Sequence, residues 1–356
     1  MGDSQSRSFV RSMSRRVLAL SRCGVGWHLA GGQVLDRGRR SWSMPRMKVL
    51  ITGSSGQIGT NLALLLLKCG IDVTGVDVRP NPWTADVCTE VVDLVQVARG
   101  NERWQPSSRP DCLVHLAAWA KVHELVTNPG RALENVEMSF AALETARRAR
   151  CPIVLGSSRE VYGDIHRTAT NESMADFVVA ESPYSASKIA AEAFFYSYAR
   201  CYDMHYLVFR FSNVYGRYDN DLTRMERVTP LFVRSIATDR PITVYGKDKV
   251  LDFTYVDDCT SGIHQGIEYL VSGDLCNETI NLASGSGATL LELIGYIESE
   301  VGKTANVTIE DPRPGEVTRY VGDIGKARQI LDYEPRFDLA AGISQYVSWC
   351  RESKWL

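Results

Sequence analysis

The sequence predicts an α/β fold: a doubly wound parallel sheet with a smaller, sequence-interleaved lobe towards the C-terminus. Three observations lead there. From Lys48, short apolar runs alternate with amphipathic stretches, as in parallel β-α-β units. The first run ends on a glycine-rich turn that opens an apolar helix. Beyond Phe211 the alternation becomes irregular, so the rest of the chain needs another place to pack.

Taken in order, Lys48–Thr52 reads as a buried strand by its Val-Leu-Ile run. Gln57–Cys69 reads as a helix too rich in leucine for a surface position. Strands are expected at Val73–Val76, Glu90–Leu94 and Leu113–Leu116, with Pro106–Pro110 as a loop. A helix over Arg131–Arg150, a strand over Ile153–Ser157, a long helix over Tyr184–Tyr202 and a sixth central strand over Tyr206–Phe211 follow. Segments from Asn213, around Thr229–Thr238 and from Asn306 onward predict the second lobe. Residues 47–212 then form the first lobe, and 213–356 mainly the second. Short returns to the first are expected near Phe253–Val256 and Thr279–Ala283.

Forty basic and 42 acidic side chains leave a net charge of −2, which gives no electrostatic case for nucleic acid as the main partner. Nine cysteines without CxxC spacing predict reduced thiols in a cytoplasmic setting, with neither disulfides nor a metal site. No apolar run approaches the roughly 18 residues that would span a bilayer, so no membrane partner is expected. Residues 1–46 differ, with nine arginines against Asp3 and Asp36 and much serine. That is the composition of an organelle transit peptide, and import is the expectation if it acts as one. A disordered extension, or a start at Met44 or Met47, is the plainer reading of the same residues.

Thr52-Gly-Ser-Ser-Gly-Gln-Ile-Gly59 has the spacing G-x-x-G-x-x-G between strand and helix. Gly53 permits the tight turn, Gly56 lets backbone approach a pyrophosphate, and Gly59 allows close helix–strand packing. The helix start at Gln57 and Ile58 offers free N–H groups to phosphate. Asp77 ends the second strand, where an acid accepts from adenosine ribose hydroxyls and repels a 2′-phosphate. The expected cofactor is therefore NAD, with Arg79 nearby as the one feature that suits NADP. Asp93 and Leu94 are expected to flank the adenine, with helix capping an equal reading for Asp93.

Tyr184-Ser-Ala-Ser-Lys188 sets a phenol and an ammonium four apart on one helical face, an arrangement that favours the phenolate. Ser157 and Ser158 end a strand upstream, facing the ligand crevice of such a sheet; capping is the alternative reading.

Together these residues resemble the extended short-chain dehydrogenase/reductase family, in its nucleotide-sugar epimerase and dehydratase branch. The resemblance runs from about Lys48 to Trp349. It is carried by T-G-x-x-G-x-x-G, His115-Leu-Ala-Ala118, Ser-Ser-x-x-Val-Tyr-Gly163, Tyr-x-x-x-Lys188, Asn213-Val-Tyr-Gly216 and Arg313-Pro-Gly-Glu316. It implies a Rossmann domain, NAD bound by Tyr184, Lys188, Ala117 and Ala118 besides the glycine turn, and Ser158, Tyr184 and Lys188 as the catalytic set. Asn135 is implied to brace the site, Asn213 to contact substrate and Arg313 to bind a diphosphate. The family's usual homodimer would pair the helices 131–150 and 184–202.

The implied reaction is oxidation of a nucleotide-diphosphate sugar at C4 and reduction of the keto sugar on its other face, a 4-epimerisation. Two positions depart from a plain epimerase. Glu160 stands where a small or hydroxyl residue is common, and can abstract the C5 proton of a 4-ketone. That opens a 4,6-dehydratase or a uronate decarboxylase, with Arg159 on an anionic substrate group; a salt bridge between the two is the alternative. Leu251 replaces the family's phosphate-binding arginine, leaving Lys247, Lys249 or Arg217 as substitutes. A ketoreductase and a non-catalytic NAD-binding protein are the remaining readings.

Overall fold

The computed structural model describes residues 46–163, 172, 180–224, 227–312 and 317–356. Residues 1–45 and the Arg313–Glu316 motif lie outside these.

The first lobe follows the expected alternation. It comprises β1 (Lys48–Thr52), α1 (Gln57–Lys68), β2 (Asp72–Asp77), β3 (Thr89–Val91), α2 (Leu94–Ala98), β4 (Cys112–His115), α3 (Val122–Thr127), α4 (Gly130–Ala149), β5 (Ile153–Ser158), α5 (Pro183–Tyr202) and β6 (Tyr206–Phe211). Then come β7 (Asn213–Tyr215), α6 (Val228–Ala237), β8 (Ile242–Tyr245), β9 (Val250–Tyr255), α7 (Val256–Ser272), β10 (Glu278–Leu282), β11 (Gly287–Thr289), α8 (Leu290–Val301), β12 (Val307–Glu310), β13 (Arg319–Tyr320), α9 (Gly325–Leu331) and α10 (Leu339–Glu352).

A seven-stranded sheet runs β3-β2-β1-β4-β5-β6-β10, all parallel. Its strands divide their side chains between two cores, as period-2 geometry requires. Val49, Ile51, Val154, Leu207 and Phe209 pack with α1 and α7. Leu50, Ile153, Leu155, Tyr206 and Val208 pack with α4 and α5. Coverage on both faces explains why β6 is buried at every residue and reads as a nearly unbroken apolar run. The second lobe holds β9 flanked by β7, β11 and β13, a β8–β12 pair, and the helices α6, α8 and α10 around a third core. No described helix is long and apolar enough to cross a membrane.

Two expectations need correction. The strand placed at Glu90–Leu94 ends at Val91, because Asp93 caps a short helix instead; its carboxylate accepts from Val95 N at 2.9 Å and Gln96 N at 3.4 Å. Phe253–Tyr255 belong to β9 of the small sheet, and the return to the first lobe begins with α7 at Val256. Thr279–Leu282, by contrast, lie in β10 on the edge of the large sheet.

The junction between the lobes is held by Asp252, fully buried in β9. Its carboxylate accepts from Ser284 N, Gly285 N and Gly322 N at 2.9, 3.0 and 3.2 Å, and from Ser284 Oγ at 2.9 Å. Asp252→Ala strands the buried Gly322 N–H and releases the part-buried amides of Ser284 and Gly285, so we expect a loss of about 2 kcal/mol in urea denaturation. An unchanged midpoint would refute this clamp.

Candidate active site

The sheet reverses its winding between β1 and β4, and the loops after these strands meet there. Gly53 turns with φ +76°, and a Cβ on it would lie 2.7 Å from Ala117 N. A Cβ on Gly59 would lie 2.2 Å from Gly53 O. Gly56 is less constrained, with only Gly53 O near at 3.3 Å. It starts α1 with no capping side chain and no acid in the first turn, which leaves the positive helix end uncompensated. Beside this turn Asp77 is buried and accepts from Ser55 N at 3.1 Å. Burial pushes its carboxyl up, against the Ser55 hydrogen bond and the nearby Arg224 and Arg79. Arg79 reaches Asp221 and Ser55 O.

The side chains of Gln57 and Ile58 point elsewhere: Gln57 bonds Gly216 O and Arg227 of the second lobe, and Ile58 packs against the core. Leu94, expected at the adenine, is buried in the α4–α5 core, since it sits on the first turn of α2.

On the other side of the switch, α5 begins with a capping box, Ser182 with Ser185, and Pro183 at its first position. This fixes Tyr184 in the first turn, buried against Leu125 and Ala132. Ser158 Oγ accepts from Glu160 N at 3.2 Å, the capping arrangement, and its hydroxyl also stands near enough to the Tyr184 phenol to favour ionisation there. Lys188 Nζ donates to Gly156 O at 2.9 Å and lies 5.9 Å from the centre of the Tyr184 ring. Asn135 ties three elements together: it accepts from Trp119 N at 2.7 Å and donates to Trp119 O and Ser187 Oγ. His115 bridges Thr52 Oγ1 and Ser139 Oγ, and burial holds it neutral with a pKa near 3.

One expectation fails here. Burial pushes the Tyr184 phenol up to about 12, with Ser158 the main opposing influence, and lowers Lys188 to about 8. Desolvation disfavours the phenolate, and the Ser158 hydroxyl with the Arg227 and Arg159 charges offsets it only in part.

Towards the second lobe, Arg159 and Glu160 pair at 3.0 Å, both largely buried. Asn213 donates to Asp252 O at 2.8 Å. Arg217, expected at the substrate, instead binds Asp257 at 2.5 Å and Asn61 at 3.3 Å, tying α1 to α7. Leu251 is buried in the third core, as an arginine there would not be. Two residues before it, Lys249 lines a cleft of about 830 Å³ whose charges balance, Lys247, Lys249 and Arg319 against Asp248, Glu310 and Asp311. Arg313 lies outside the described residues.

Residues 49–283 match the model of the NAD dependent epimerase/dehydratase family. The chain belongs to this family. A dTDP-glucose 4,6-dehydratase of Salmonella typhimurium is 28% identical over 85% of this chain and 92% of its own length. A UDP-glucose 4-epimerase of Thermotoga maritima, solved with UDP-glucose, superposes with a TM-score of 0.78 at 25% identity, over 86% of this chain and all of the other. A Thermus thermophilus UDP-glucose 4-epimerase in complex with NAD gives 0.76 at 26%, over 86% and 99%. The protein is thus an NAD-dependent enzyme of the nucleotide-sugar isomerase and lyase kind.

For an epimerase/dehydratase, the residues present fit NAD. A backbone cradle that a Cβ at Gly53 or Gly59 would fill, an uncapped helix start and a carboxylate at the end of β2 together suit a dinucleotide. Among the described residues no group of three or more His, Cys, Asp or Glu stands ready for a metal ion.

Sequence reasoning missed Glu192 and Arg210, which form a buried ion pair behind the site. The signals were present: Glu192 falls four residues after Lys188, and Arg210 is the lone charge in an apolar strand. It also missed Arg227, which links Gln57 with the buried Asp219.

Lys188 yields a stability prediction. Its folded pKa of about 8 lies below the ordinary 10.5, so its charge penalises the fold fully below pH 8 and progressively less up to 10.5. Lys188→Met, allowing for the lost bond to Gly156 O, should stabilise the cofactor-free protein by about 2 kcal/mol at pH 7. The gain should vanish towards pH 10.5. Thermal melts across pH check this, and a gain that grows with pH would contradict it.

Proposed function

We propose that this protein is a nucleotide-diphosphate-sugar 4-epimerase working through a transient 4-keto sugar. The convergence of Ser158, Tyr184 and Lys188 at the mouth of the glycine turn carries the reading. NAD, when bound, supplies the hydride acceptor and a positive charge near the phenol. Tyr184, as the phenolate, takes the proton of the C4 hydroxyl and returns it to that oxygen when the ketone is reduced; the cofactor's charge would bring the phenol down from about 12 for the first step. Ser158 orients that oxygen, and Lys188 holds the ribose side of the cofactor and the charge balance. Asp77 favours NAD over NADP because a 2′-phosphate beside its carboxylate would be repelled.

Glu160 supports a second reading, a dehydratase or uronate decarboxylase, since its charge is felt by Tyr184. Its pairing with Arg159 favours the first, because a carboxylate held by a guanidinium is a poorer base. A panel of UDP- and dTDP-hexoses and hexuronates, followed by mass analysis, should give a stereoisomer of unchanged mass. Loss of water or carbon dioxide would overturn the epimerase. Glu160→Gln should lower kcat only a few-fold; a drop beyond a hundredfold would make Glu160 a working acid or base.

We also propose a homodimer through α4 and α5, which leave Leu133 62% and Phe140 38% exposed beside Phe194 and Tyr202. Leu133→Glu with Phe140→Glu should yield monomers in sedimentation; an unaltered dimer would exclude this face.

A further inference from the structure

Tyr184, Lys188 and Glu192 recur every four residues on α5 and so share one face. That face meets three consecutive residues at the end of β5. Ser158 stands near the Tyr184 phenol, Gly156 O accepts from Lys188 Nζ at 2.9 Å, and Ser157 Oγ donates to Glu192 Oε1 at 2.5 Å. Glu192 is itself held by Arg210, through Nε at 3.0 Å and Nη2 at 2.6 Å. Arg210 stands opposite Ser157 in the β5–β6 register, and its remaining nitrogen donates to Glu172 O at 2.9 Å.

A bidentate ion pair exposed by only 3% and 6% is a costly way to dock a helix on a sheet. Both charges lose their hydration, and apolar residues of similar volume would serve stability as well or better. The pair sits one helical turn behind Lys188 and bonds the residue next to Ser158. We propose that Glu192, backed by Arg210, is a positioning residue for the reaction: it holds the Ser157–Ser158 strand end and Lys188 in register beneath Tyr184. This rests on the reading of Ser158, Tyr184 and Lys188 as the reacting set.

The pair also sets the charge at the site. Lys188 is faced by Tyr184 and Glu192 from its own helix, by His115 from β4 and by Gly156 O from β5. Glu192 is faced by Arg210 from β6, Ser157 from β5 and the Tyr162 phenol from the turn after β5. With His115 neutral, Glu192 is the anion that favours protonated Lys188. Without it Lys188 loses its proton at lower pH.

The test compares Glu192→Gln, Glu192→Asp and the double variant Glu192→Gln with Arg210→Met, which leaves no unpaired buried charge. The pH profiles of kcat and, by calorimetry, of NAD affinity are measured for each. Glu192→Gln should move the alkaline limb of both profiles down by about one pH unit, the size expected for losing one close charge. Glu192→Asp should restore the limb. The folded double variant should still lose kcat at least tenfold. Unmoved limbs with activity that follows only the folded fraction, or wild-type kcat in the folded double variant, would overturn the proposal. If the wild type turns over no nucleotide sugar, the reading of the reacting set fails, and the NAD-affinity profile alone decides whether Glu192 governs Lys188.

Discussion

The close approach of two strand ends, where the sheet reverses its winding, governs the rest of the molecule. The turn after β1 comes so near the backbone after β4 that a single carbon on Gly53 would sit 2.7 Å from Ala117 N. The same turn leaves no room for a side chain on Gly59, where α1 starts. These two contacts fix the helix start, the carboxylate of Asp77 and the loop before Asn135 in one crevice. Backbone there is exact in position because nothing compressible lies between the pieces.

Around that crevice, polar groups are buried in numbers that a stable core does not need. His115 is kept neutral between two hydroxyls, Glu192 and Arg210 satisfy one another, and Asp252 saturates its carboxylate with loop amides. Lys188 is different. It has one carbonyl acceptor and a charge that burial disfavours, which is strain held at the site where chemistry needs a mobile proton balance. The surrounding saturated groups allow that one imbalance to persist.

The first lobe was legible because its strands are covered on both faces and its glycine turn has steric demands that few sequences meet. The shared face of Tyr184 and Lys188 was legible for a similar reason, since a period of four on a helix specifies it. The protein partners of Leu94 and Arg217 were not legible. A leucine at the start of a helix and an arginine beside a glycine carry no periodicity that shows which neighbour they will meet. The family comparison extends the reading to an NAD-dependent nucleotide-sugar enzyme, and relatives of two kinds, a dehydratase by sequence and an epimerase by structure, match most of this chain.

By itself the sequence determined the parallel sheet, the dinucleotide turn and the phenol–ammonium pair, because each follows from local spacing and backbone sterics. The tertiary structure alone decided which charges meet. It paired Arg159 with Glu160, turned Arg217 to Asp257, and placed Glu192 and Arg210, 18 residues apart, against the back of the site. It also raised the Tyr184 phenol that local reasoning had lowered. The physical reason is common to all of these: desolvation and ion pairing depend on neighbours brought from distant parts of the chain, and no local pattern encodes them.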